Sequence, residues 1–156
     1  MESGVIIAFG VRLLLVLLFL PFSALDKILN FRGAVAQARQ AARSQVLAIL
    51  LILAGLAVEI GMSSAILIGV ADRLAALVLA AYCVATALLW KQFWAPGDFW
   101  SNPSGQARGL FWDFWKNLAM AGGFLLLTFG ATAESTGAFL AAPLSSTHPY
   151  AASSPP

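Results

Sequence analysis

Glu59 lies near the middle of residues 46–70, a stretch that contains no other charged residue. Taking a carboxylate into hydrocarbon is costly, so an ionisable group at that depth marks a functional site and requires a partner. Arg12, early in the first apolar run (residues 5–25), is the expected partner. If the two runs are antiparallel, the depths of Arg12 and Glu59 differ by about four residues, roughly 6 Å at the helical rise, and a snorkelling arginine side chain spans that gap. Such a pair reads as a buried salt bridge that fixes helix order. The sharper reading is a proton-accepting or ligand-orienting carboxylate lining a cavity, but one carboxylate without a chain of titratable neighbours makes a poor proton path.

A second polar group gathers toward one side of the membrane. Asp26 and Lys27 end the first run, Lys91 ends the third, and Asp113, Lys116 and Asn117 open the fourth. Asp113 and Lys116 are three apart and share a helix face. Interfacial ion pairing accounts for these residues, and so does a pocket for a polar headgroup or a quinone carbonyl, in which Lys and Asn donate and nearby rings form the apolar wall. The rings are there: Trp90, Trp94, Trp100, Trp112 and Trp115 are all the tryptophans of the chain, and Phe93, Phe99, Phe111 and Phe114 lie among them. An aromatic belt ordinarily marks both interfaces. A one-sided set anchors a loop in the headgroup layer or offers a platform to a partner, since Trp is a preferred interface anchor.

Redox and metal chemistry find little purchase in the side chains. The lone cysteine, Cys83, stands in an apolar run and reads as a small buried hydrophobe. The one histidine, His148, stands in a Ser/Pro-rich tail, so neither a bis-histidine haem site nor a Cys/His metal site is expected. No metal and no cofactor of the chain's own is expected, and no catalytic residue is assigned; electrons passing nearby would travel on another subunit's cofactor.

The elements that position these groups are membrane helices. The 156 residues are 60% hydrophobic and 10% charged, against about 45–50% and 25% for soluble domains. A core about 30 Å thick takes roughly 20 apolar residues per helix, so about four passes fit. The expected fold is all-α: an antiparallel up-down four-helix membrane bundle over residues 1–130, followed by an Ala/Ser/Pro-rich, disordered tail over residues 131–156. The first run opens Met-Glu-Ser and lacks a basic leader and a good cleavage site, so it is read as a retained helix, bent at Pro21. Residues 26–45 form a polar connection, with residues 34–42 as a surface helix held by anionic lipid. The second pass, 46–70, turns through residues 71–73 into the third, 74–90, which makes a hairpin. A Gly/Pro/Asn/Ser-rich loop over residues 95–109 leads to the fourth pass, 110–129. Small residues four apart, at Ala57/Gly61, Ala76/Ala80, Ala81/Ala85 and Ala119/Gly123, are candidates for close helix contact.

Four passes put both termini on one face, which carries only Arg12 and Arg73. The other face carries Lys27, Arg32, Arg39, Arg43, Lys91, Arg108 and Lys116. The positive-inside rule therefore places both termini on the periplasmic or exterior side of a bacterial-type inner (plasma) membrane. The net charge of +2 is spread rather than clustered on one face, so nucleic acid is not an expected partner; membrane lipid is.

Three stretches resemble the DoxX family. They are Arg12-Leu-Leu-Leu-Val-Leu-Leu-Phe-Leu-Pro-Phe-Ser-Ala-Leu-Asp-Lys-Ile-Leu-Asn-Phe, Glu59-Ile-Gly, and Phe114-Trp-Lys-Asn-Leu-Ala-Met-Ala-Gly-Gly. The resemblance covers roughly residues 10 to 128 and implies a compact four-helix membrane bundle. It also implies a small subunit or neighbour of redox systems such as thiosulfate:quinone oxidoreductase or an oxidative-stress complex. By position, Arg12, Asp26, Lys27, Glu59, Lys116 and Asn117 match the family's polar signature. The histidine that many relatives carry before the Phe-Trp closing the third pass is missing from Trp90-Lys91-Gln92-Phe93-Trp94, so no role resting on that imidazole transfers.

The expected function is that of a small, non-catalytic membrane subunit or partner of a membrane-bound or peripheral quinone-linked redox protein, with quinone as the one cofactor in view. Two alternatives stand beside it. One is a quinone-binding oxidoreductase subunit acting directly in thiosulfate or quinone chemistry. The other is a lipid-binding or carrier bundle that uses Glu59, against which the lack of an internal repeat or broken helices argues.

Overall fold

Residues 3–151 are described in a computed structural model of the chain. Their regular structure is helical: α1 (Ser3–Val16), a π-helical turn (Leu18–Ser23), α2 (Ala24–Leu29), α3 (Phe31–Ala38), α4 (Gln45–Ile68), α5 (Asp72–Trp90), α6 (Gln106–Phe129) and α7 (Ala133–Ala141). Three stretches are long and apolar enough to cross a membrane, namely Ser3–Leu29, Gln45–Ile68 and Asp72–Trp90. α6 meets that criterion only together with α7, from which it is bent by 74°. Asp113, Lys116 and Asn117 make the first half of α6 polar, which is why it does not qualify alone. Large apolar side chains such as Leu14, Val46, Ile68 and Leu126 face outward, as expected where the surrounding solvent is lipid rather than water. The chain is a multi-pass membrane protein.

The first pass is interrupted where Pro21 removes a backbone donor. Leu20 leaves helical geometry (φ −121, ψ 110) and the chain resumes as α2. This break offsets Ser23 and Lys27 from the line of α1. The hairpin of α4 and α5 turns at Gly69, whose φ of +76 closes α4 in the left-handed region where a Cβ is unfavourable. The observed turn occupies residues 69–71, two residues earlier than expected, because Gly69 rather than Val70 ends the helix and Asp72 already begins α5.

Side-chain contacts give the helix directions. Along α5 and α6, Arg73 meets Thr128, Thr86 meets Asn117 and Lys91 meets Asp113; the order is opposite on the two helices, so they are antiparallel. Arg12 with Ile66 and Ser23 with Glu59 give the same result for the first pass against α4. The core lies where Val16 and Phe19, Ile66, the α5 face Ala75/Ala76/Leu79/Ala80/Cys83, and Ala121 and Phe124 of α6 converge. Cys83 is fully buried there. Of the small-residue pairs, Ala76/Ala80 lies in this core. Ala57, Gly61, Ala81, Ala85 and Ala119 are exposed, and Gly123 is half-buried, with Leu15 close beside it. The other pairs lie outside this core, because spacing alone does not choose which face of an Ala-rich helix turns inward.

Two further expectations change. The surface helix of the 26–45 connection is α3, which starts three residues earlier than expected and seats Ala38, with Ala42 just beyond its end, against Ala48 of α4. The tail expected to be disordered is ordered as far as it is described. Thr132 caps α7 through a reciprocal capping box with Ser135, and residues 142–151 fold back over the α4–α5 turn. Residues 152–156 of that tail, and residues 1–2, lie outside the described residues.

Candidate functional site

Two buried ion pairs stand at different depths, and neither is the expected one. Arg12 and Glu59 do not pair with each other. Glu59 on α4 is 1% exposed, and its Oε1 accepts from Lys27 Nζ at 2.7 Å, Tyr82 Oη at 2.7 Å and Ser23 Oγ at 3.1 Å. Lys27 Nζ also donates to Ser23 Oγ at 2.5 Å, one turn back along the same segment. The break at Leu20–Pro21 is what makes this partnership available: it turns a lysine that reads as interfacial inward onto the acid. Gly55, one turn before Glu59, makes room for Tyr82, since a Cβ there would lie 3.1 Å from Tyr82 Oη.

Arg12 is held near the α4–α5 turn. Its Nη2 lies 2.7 Å from Asp72 Oδ2, and its Nη1 donates to Ile66 O at 2.8 Å. The folded-back segment completes this second group: Thr147 N donates to Asp72 Oδ1 at 2.9 Å, Thr147 Oγ1 donates to Asp72 Oδ2, and Arg12 Nη2 donates to Thr147 Oγ1 at 2.5 Å. Ser146 donates to Gly69 O and Tyr150 to Leu67 O. Each buried charge thus has an opposite charge in contact and further hydrogen bonds besides, the condition under which a low-dielectric interior tolerates ions.

The proposed interfacial cluster divides. Lys91 Nζ pairs with Asp113 Oδ2 at 3.0 Å, and Asn117 Nδ2 donates to Asp113 O at 2.9 Å. Lys27 leaves the cluster for Glu59, while Asp26 and Lys116 are exposed. Asp113 therefore takes Lys91 across the helices rather than Lys116 along its own. Four of the five tryptophans are exposed (Trp94, Trp100, Trp112 and Trp115), and Trp90 is half-buried with its Nε1 enclosed. Phe93 organises the rings, packing edge-on or tilted against Trp94, Phe99, Phe111 and Phe114 at centroid distances of 5.1–5.7 Å. Arg108 lies over Phe99 at 4.9 Å, a cation–π contact. Between Phe93, Trp94, Gly97, Phe99, Trp100 and Phe111 runs an open groove of about 400 Å³.

Sequence reasoning missed Ser23, Tyr82, Asp72 and Thr147. Ser23 carries a detectable signal, the i, i+4 spacing to Lys27 just after the proline. Asp72, read as a turn residue, and Thr147, read as tail, carry none, because what brings them together is the return of the chain after α7.

The fold and its buried charges define an all-helical membrane domain whose spans are tied together by buried ion pairs. Residues 7–92, more than half of the chain, match the DoxX family. The chain belongs to the DoxX family. That match takes in Arg12, Lys27, Glu59, Asp72 and Tyr82 and ends at Gln92, so the aromatic loop and the α6 motif lie beyond it. No curated protein and no solved structure matches the chain.

Proposed function

We propose that this DoxX-family protein is a small integral membrane subunit or partner of a quinone-linked redox complex, without a redox centre of its own. In this reading the bundle has four antiparallel up-down passes in a bacterial-type inner membrane, with both termini outside. The observation that carries the partner role is the aromatic surface at the end of α5 and the start of α6. Trp100 is 90% exposed and packs on Phe99, which in turn packs on Phe93, a ring in contact with four others. Rigid, preorganised rings supply contact area at low ordering cost, which suits a docking platform. The buried charges support a scaffold role, since both acids are already engaged by cations of the same chain.

The test is extraction in a mild detergent followed by native mass spectrometry and absorption spectroscopy. The expected result is a co-isolated protein bearing flavin, haem or an iron–sulfur cluster, released by the double substitution Trp100→Ala/Trp112→Ala. Recovery of the chain alone or with copies of itself, and without cofactor absorbance, overturns the proposal.

A further inference from the structure

The engagement of Glu59 is lopsided. Three donors converge on Oε1, while Oε2, equally enclosed, has no partner among the described residues. One turn further along the same face of α4, Ser63 Oγ is also fully buried and unpartnered. Other enclosed hydroxyls in this protein do not behave so. Thr128 Oγ1 donates to Phe124 O at 3.1 Å or Arg73 O at 3.0 Å, and Thr86 Oγ1 donates to Cys83 O at 2.9 Å. Buried polar atoms in native proteins are satisfied by protein, water or ligand, and two neighbouring exceptions call for a common cause.

Residues four apart on a helix share a face, with Cβ atoms about 5–6 Å apart, so Glu59 and Ser63 are neighbours on the buried side of α4. We propose that Glu59 Oε2 and Ser63 Oγ together form a binding site for a single hydroxyl group, which donates to the carboxylate and accepts from the serine. The chemistry of the two atoms selects this class. A carbonyl has no hydrogen to give Oε2, and an ammonium would set a second cation beside Lys27 and could accept nothing from Ser63. The hydroxyl belongs either to a resident water molecule or to a hydroxyl-bearing compound dissolved in the membrane. The site is independent of the docking proposal above and survives its failure.

The full chain, crystallised from a lipid mesophase at a resolution that places waters, gives one readout. Organic extraction of purified wild type and Ser63→Ala protein, followed by mass spectrometry, gives the other. Ser63→Ala removes one partner and leaves the Lys27–Glu59 pair intact, so the variant is expected to fold. An isolated density peak in hydrogen-bond reach of both oxygens, with no extracted compound above the detergent blank, supports the site with water as the guest. Elongated density, with a hydroxylic compound whose recovery falls about tenfold in Ser63→Ala, as the loss of one hydrogen bond gives, supports it with an organic guest. No density between the two oxygens, with each bonded to a protein group instead, overturns it.

Discussion

At the scale of the residue, the central fact is which cation answers Glu59. Lys27 reaches it at 2.7 Å with its side chain 18% exposed, so replacing Lys27 strands a carboxylate that is otherwise enclosed. Lys27→Met is expected to cost about 3 kcal/mol, the scale for breaking a buried pair from one side, and Lys27→Met/Glu59→Gln to recover part of that loss. Arg12→Met, by contrast, is expected to combine with Glu59→Gln additively to within about 0.5 kcal/mol, because the two residues share no partner. Unfolding titrations in a mild detergent measure both cycles. Coupling between Arg12 and Glu59, with none between Lys27 and Glu59, would contradict the observed pairing.

At the scale of the element, glycines in and at the end of α4 separate packing from propensity. A Cβ at Gly61 meets nothing within 4 Å, whereas at Gly55 it would press on Tyr82 Oη at 3.1 Å. Gly61→Ala is expected to stabilise the helix by about 0.5–1 kcal/mol, the intrinsic difference between the two residues. Gly55→Ala should show less gain or a loss, accompanied by a change in Tyr82 fluorescence as its hydroxyl is displaced from Glu59. Gly69 is more demanding: its φ is +76, and a Cβ would fall 2.8 Å from Pro149. Gly69→Ala should therefore lower the melting temperature and loosen the folded-back segment together, which thermal unfolding and hydrogen exchange at Thr147 report separately.

At the scale of the whole molecule, residues 142–151 act as a strap across the end where α1, the α4–α5 turn and α6 meet. Thr147 donates through both its amide and its hydroxyl to Asp72, and Tyr150 packs on Phe9 with centroids 6.4 Å apart. Thr147→Val leaves Asp72 and Arg12 each short of a partner and is expected to cost about 1–3 kcal/mol in the same detergent titrations. At the opposite end the rings behave differently. Trp100 is so exposed that Trp100→Ala should change stability by less than about 0.5 kcal/mol while weakening retention of a docked partner, a split that stability and co-isolation measurements resolve. A large stability loss would make Trp100 part of the fold rather than of a surface.

Long apolar runs in a chain this poor in charge can be stable only as lipid-facing helices, so the helical membrane class, the position of α4 and α5, the break at Pro21 and the burial of Arg12 and Glu59 were all legible in the residues themselves. The concentration of tryptophans at one end of the fold was equally legible. Pairing was not, because a charge buried in hydrocarbon must find some opposite charge but its sequence neighbourhood does not say which. Lys27 became the partner of Glu59 through a change of direction at Leu20. Asp72 became the partner of Arg12 through a turn that ends at Gly69 and a tail that returns to cover it. Those choices depend on where separate helices come to lie against one another, and only the tertiary structure decides that.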